Sequence, residues 1–149
     1  MKLNISEIKL NSVPEAVVVY DDSRNISFTL KYVDRKTLND LNKQFNKRKF
    51  NPKTHQQEES VDYEALRDEI CRRFVTGWTG VTLGWLQTQM PIDPETVKKN
   101  GADTQVDFSE ENLKTLVEAG NGIDTWILEQ VRDPENFKEV IDQKEQVKN

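Results

Sequence analysis

Few side chains in this sequence carry reactive chemistry. His55 is the single histidine, set in the polar tract Lys53-Thr54-His55-Gln56-Gln57. A general base or a metal ligand there would need an orienting carboxylate or further ligands at fixed spacing, and the sequence offers none. Cys71, the single cysteine, precedes Arg72 and Arg73, whose charge would favour a thiolate. A lone helical cysteine also serves as a small apolar side chain, and that is the reading adopted for it.

Gly77, Gly80 and Gly84 lie close together. No Lys-Ser or Lys-Thr follows them, and neither phosphate-binding fingerprint has its spacing. Glu58-Glu59 and Glu110-Glu111 pair carboxylates, but one pair falls in a polar tract and the other in the first turn of a helix, where solvation and capping account for them. Trp78, Trp85 and Trp126 have the faces to stack on bases. The basic cluster such a site requires, Arg35 to Lys53, contains no tryptophan. The expectation is therefore a protein with no catalytic residue, no metal site and no cofactor.

Charge and composition narrow the class further. A net charge of −5 argues against a general nucleic-acid binder, whose affinity comes from neutralising phosphates. The charge is unevenly spread, with seven bases against one acid from Arg35 to Lys53 and eleven acids against five bases from Asp107 to Asn149. Such blocks can steer a partner, or a second copy of the chain head to tail. With 35% hydrophobic and 32% charged residues over 149 positions, one domain with a small core is expected. The start MKLNISEIKL has no apolar stretch of the signal-peptide kind, and no run approaches the roughly 20 apolar residues of a membrane span. A soluble intracellular protein is expected, in a reducing compartment given one cysteine.

The elements that would position these residues follow from period and capping. Ala16–Tyr20 and the alternating run Ile26–Val33 flank the turn cluster Asp21–Asn25, giving a β-hairpin with one wet face. Asp34 caps a helix over about 35–46, with Leu38, Leu41 and Phe45 on one stripe. Residues 46–60 read as a polar linker. A second helix starts around Asp62, with Leu66, Ile70, Phe74 and Trp78 recurring every four residues, and ends in the glycines Gly77 and Gly80.

Residues 82–106 read as a long connector. Within it Val81 to Met90 has no period, so Trp85, Leu86 and Met90 form a possible exposed contact patch, and Asp93-Pro94 starts a helix of one or two turns. Ser109 caps the next helix, with Phe108 before it, Glu110 and Glu111 in its first turn, and Gly120 at its end. Ile123, Trp126, Ile127 and Val131 mark another. Asp133-Pro134 opens a last one, carrying Phe137, Val140 and Ile141, before a frayed tail at 142–149. The fold class is α+β, mainly α: an N-terminal hairpin followed by a bundle of about four to five short helices.

Two segments, GWTGV at 77–81 and VDFSEENLKTLVE at 106–118, together with the strand ISFTLKYV and the following DRKTLNDL, resemble the small tail assembly chaperones of long-tailed bacteriophages. The family pattern of a Trp-x-Gly-Val turn falls on Trp78, Gly80 and Val81. The later helix start falls on Phe108, Ser109, Glu111, Asn112 and Leu113. The connector is longer than the family's. The resemblance implies a non-catalytic protein of the host cytoplasm that self-associates, holds the tape measure protein soluble while major tail tube subunits assemble, and is absent from the virion. The physical alternative is a small phage or prophage regulator that binds nucleic acid through a basic 35–53 helix.

Overall fold

β-Branched and aromatic residues build the first strands, β1 (Glu15–Asp21) and β2 (Ile26–Lys31), which pair antiparallel from Glu15↔Lys31 to Asp21↔Ile26. The loop between them ends on Asn25, whose φ of 56° is a conformation asparagine tolerates better than most residues. On β2, Ile26, Phe28 and Leu30 are fully buried, while Ser27, Thr29 and Lys31 lie on the wetter face, as alternation requires. The computed structural model describes residues 2–7 and 13–138. The expected tail at 142–149, and Val140 and Ile141, lie outside the described residues.

Asp34 accepts the Thr37 amide at 2.7 Å and starts α1 (Arg35–Gln44), which buries Leu41. The chain then forms a second hairpin, β3 (Asn46–Asn51) and β4 (Gln56–Val61), at the place read as a polar linker. It was illegible because both of its faces are wet: nearly every residue is exposed, so no alternation of apolar and polar side chains marks the strands. Its loop also ends on a left-handed residue, His55, with φ 54°.

Asp62 caps α2 (Tyr63–Phe74), whose buried residues are Leu66, Ile70, Cys71 and Phe74. The helix does not run on to Gly77. At Val75 the chain becomes β5 (Val75–Thr79), which pairs antiparallel with β2 and completes a three-stranded sheet of order β1-β2-β5. The run Val-Thr-Gly-Trp-Thr combines β-branched residues with a glycine and is poor helix material. Its four-residue spacing to Phe74 mimicked a helical stripe because the register shifts between Thr29 and Leu30, which lets Val75 and Trp78 both face inward, three residues apart.

Beyond the sheet, Thr82 caps α3 (Leu83–Gln89), Asp93 caps α4 (Pro94–Asn100), Ser109 caps α5 (Glu110–Ala119), and α6 (Ile123–Val131) follows a left-handed Gly122. A 3-10 turn at Pro134–Phe137 buries Phe137. The described residues thus hold six α-helices and five strands, an α+β fold that is mainly α, and none of these helices is long and apolar enough to cross a membrane.

α2 and α6 cover the inner face of the sheet, and α5 packs on both. Phe28 lies at the centre, touching Tyr20, Trp78 and Trp126 with ring centroids 6.0, 6.1 and 5.6 Å away. Such pairs add about 0.5–1.5 kcal/mol each beyond the area they bury.

Gly80, at the exit from β5, has φ 78°, and a Cβ there would meet the Asn25 carbonyl oxygen at 2.2 Å. Gly122 has a similar φ of 84° but open space around the missing Cβ. Gly122→Ala should therefore cost only the left-handed strain of about 1–2 kcal/mol, and Gly80→Ala roughly 3 kcal/mol or more because a clash is added. Urea unfolding of the two variants side by side checks this; equal losses would contradict it.

Candidate partner-binding site

The two segments that carry the family resemblance meet in space. Trp78, in register with Phe28, donates its indole N–H to the Val106 carbonyl at 2.8 Å. The Phe108 ring stands edge-on to Trp78, with centroids 5.1 Å apart and planes at 89°. The Val106 amide donates in turn to the Val81 carbonyl at 2.9 Å, and Val81 is fully buried. Ser109 accepts the Asn112 amide at 3.0 Å, and the Asn112 side chain donates to the Asp107 carbonyl at 2.9 Å, which fixes the first turn of α5. Leu113 then points into the core. Trp78, Gly80, Val81, Phe108, Ser109, Asn112 and Leu113 are therefore structural parts of one joint.

That joint also closes the connector. The Leu83 and Gly84 amides donate to the Thr104 and Ala102 carbonyls, each at 2.9 Å, and Thr82 bridges Gln105. Residues 82–105 accordingly leave and return through one neck, carrying α3 and α4 between.

The neck lays α3 against the sheet, and this overturns the expected contact patch. Trp85 is only 4% exposed, with its ring 5.7 Å from Tyr20. Leu86 and Met90 are half-buried against the same core. A seven-residue helix is too short to display a period, which is why its apolar residues looked aperiodic and free.

Apolar surface is open elsewhere. A cleft of about 410 Å³ lies between α2 and α5, with Phe45 also in its lining. Ala65, Cys71, Leu113 and Val117 form its apolar floor. Asp68, Glu69, Glu110 and Glu111 line its rim against Arg72 and Lys114, four acids to two bases. Arg72 is held by Glu69 at 2.6 Å, and Asp68 by Arg67 at 3.1 Å. Glu111 and Leu113 are the motif residues that belong to this site. The signal that could have found it was the coincidence of the Ala65-Cys71 and Leu113-Val117 faces, and only the packing of α2 on α5 brings those together.

α2 is fixed on its other side by a polar clamp to α6. Tyr63 donates its hydroxyl to Asp124 at 3.1 Å, and Arg67, 3.9 Å from the same carboxylate, bonds Asp68. Partial burial, with the Asp124 hydrogen bond added, raises the Tyr63 pKa.

Burial pushes the Cys71 thiol up to about 12 and outweighs the nearby Arg67 charge. Arg72 and Arg73 are exposed and do not activate it. His55 sits at the hairpin tip, with its ring 6.5 Å from Phe50. No group of three or more His, Cys, Asp or Glu among the described residues is disposed to hold a metal ion.

The basic segment 35–53 is not one helix. It divides between α1 and β3, and in β3 Lys47 pairs with Asp62 at 2.8 Å and Arg48 with Glu59 at 3.4 Å. Those cations face acids of their own chain, which weakens the case for a phosphate-binding surface.

Two outcomes follow from the chemistry of the site. Cys71 is buried and its thiol is held protonated by that burial, so it should resist a disulfide-exchange reagent until the chain is unfolded; rapid native-state labelling would contradict the burial. Trp78→Phe keeps the ring contact but leaves the Val106 carbonyl without its indole donor, at a cost of about 1–3 kcal/mol in an unfolding titration.

Comparisons with protein-family models, with curated proteins and with solved structures each find no match to this chain.

Proposed function

We propose that this protein is a tail assembly chaperone of a long-tailed phage or prophage. It acts without catalysis in the host cytoplasm, holding the tape measure protein soluble during tail morphogenesis. The observation that carries the reading is the open apolar cleft between α2 and α5, placed next to the joint in which the two resembling segments meet.

Such a cleft suits the helix-in-groove mode of recognition, in which an amphipathic helix lays large apolar side chains onto an apolar floor. The tape measure protein is long and largely helical, so successive turns could present such side chains to successive chaperone molecules. The excess of rim carboxylates favours a helix with lysine or arginine beside its apolar stripe, and binding should weaken as salt rises.

Co-expression with the tape measure protein of the same phage or prophage tests this directly. The wild-type chain should raise the soluble fraction of that partner. Ala65→Arg, which fills the cleft from a half-buried position on α2, should reduce partner retention by roughly tenfold or more, whereas Thr96→Arg on exposed α4 should leave it unchanged. A partner whose solubility does not respond to the wild-type chain would overturn the proposal.

A further inference from the structure

The β3–β4 hairpin packs neither of its faces on the core: its residues are exposed along almost the whole length, including Phe50 at 58% and Val61 at 44%. It joins the body at its base, where the Asp62 amide donates to the Phe45 carbonyl at 2.8 Å and Lys47 pairs with Asp62. A two-stranded ribbon of this kind is marginal in water unless something else covers or extends it. Its sheet has only two strands, so the outer edges of β3 and β4 both present ladder groups to a further strand.

Charge is sorted by strand. β3 carries Lys47, Arg48 and Lys49, and β4 carries Glu58 and Glu59. Within the ribbon Arg48 lies opposite Glu59 and Lys49 opposite Glu58. Consider the ways two copies could pair edge to edge. An antiparallel β3–β3 contact sets bases against bases, and a β4–β4 contact sets Glu58 against Glu59; like charges directly opposite are destabilising. A β4–β3 contact repeats the arrangement already found inside the ribbon, with bases opposite acids and every neighbour antiparallel.

We infer that the hairpin is a self-association surface in which the β4 edge of one copy pairs with the β3 edge of the next. The occupant of this surface is a second copy of the chain. The contact uses two different edges, so it is head to tail and builds a closed ring or an open array, not a two-fold dimer. Each addition extends the sheet by two strands and gives Phe50, already opposite Gln57, a second cross-strand neighbour on its open side. The inference does not depend on what the α2–α5 cleft binds.

The test uses the full chain and three measurements. Sedimentation velocity of the wild type should show species heavier than one chain that grow with concentration, and association should weaken on the order of tenfold between about 0.05 M and about 1 M salt. Replacing residues 46–61 with an Asn-Gly turn, between backbones that are already hydrogen-bonded at Phe45 and Asp62, should give a single-chain mass with an unchanged unfolding midpoint. The exchange Arg48→Glu, Lys49→Glu, Glu58→Lys and Glu59→Lys keeps opposite charges paired inside the ribbon. That variant should self-associate as the wild type does, yet fail to co-purify with differently tagged wild-type chains. A wild type that stays monomeric at every concentration, a ribbon-less variant with the wild-type mass distribution, or free mixing of exchanged and wild-type chains would each overturn the inference.

Discussion

The hydrogen bond from the Trp78 indole to the Val106 carbonyl joins three parts of the molecule that are far apart in sequence. On one side Trp78 packs against Phe28, the fully buried centre of the sheet. On the other, Phe108 stands against Trp78 immediately before the cap of α5. Tyr20 continues the chain of rings to Trp126 and Trp85, at 4.9 and 5.7 Å. All three tryptophans are thereby committed to one aromatic core. The orientation of α5, and so the width of the cleft it forms with α2, depends on that core.

This arrangement assigns the glycine-bracketed tryptophan a role different from a helix stop. β5 is the third strand of the sheet, and Gly80 turns the chain out of it where no side chain fits beside Asn25. The returning end of the connector then docks onto Val81, and α5 begins four residues after Val106. The family-like segments are parts of a joint that holds the cleft walls in place. Of their residues, Glu110, Glu111, Leu113, Lys114 and Val117 also line the cleft.

Much of the fold was legible because it is encoded locally. The β1–β2 hairpin announces itself by alternation, and Asp34, Asp93, Ser109 and Asp133 each accept a backbone amide at the helix or turn start the sequence suggested. Three features were not legible, each for a physical reason. β5 shares a four-residue spacing with α2 because a register shift turns Val75 and Trp78 to the same side. The β3–β4 ribbon buries no face and therefore has no apolar period. Trp85 is buried by a neck of backbone hydrogen bonds between residues 82–84 and 102–105, a tertiary contact without a local signature. The cleft likewise exists only once α2 and α5 pack; of its floor residues only Cys71 and Leu113 stood out in the sequence.

The central claim is that the α2–α5 cleft receives a helical segment of the partner. Amide hydrogen exchange of the chain, alone and with a soluble helical fragment of the tape measure protein, tests it most directly. The account predicts added protection confined to residues 65–72 and 110–117. Protection confined to the connector or to the β3–β4 ribbon, with the cleft helices unchanged, would contradict it.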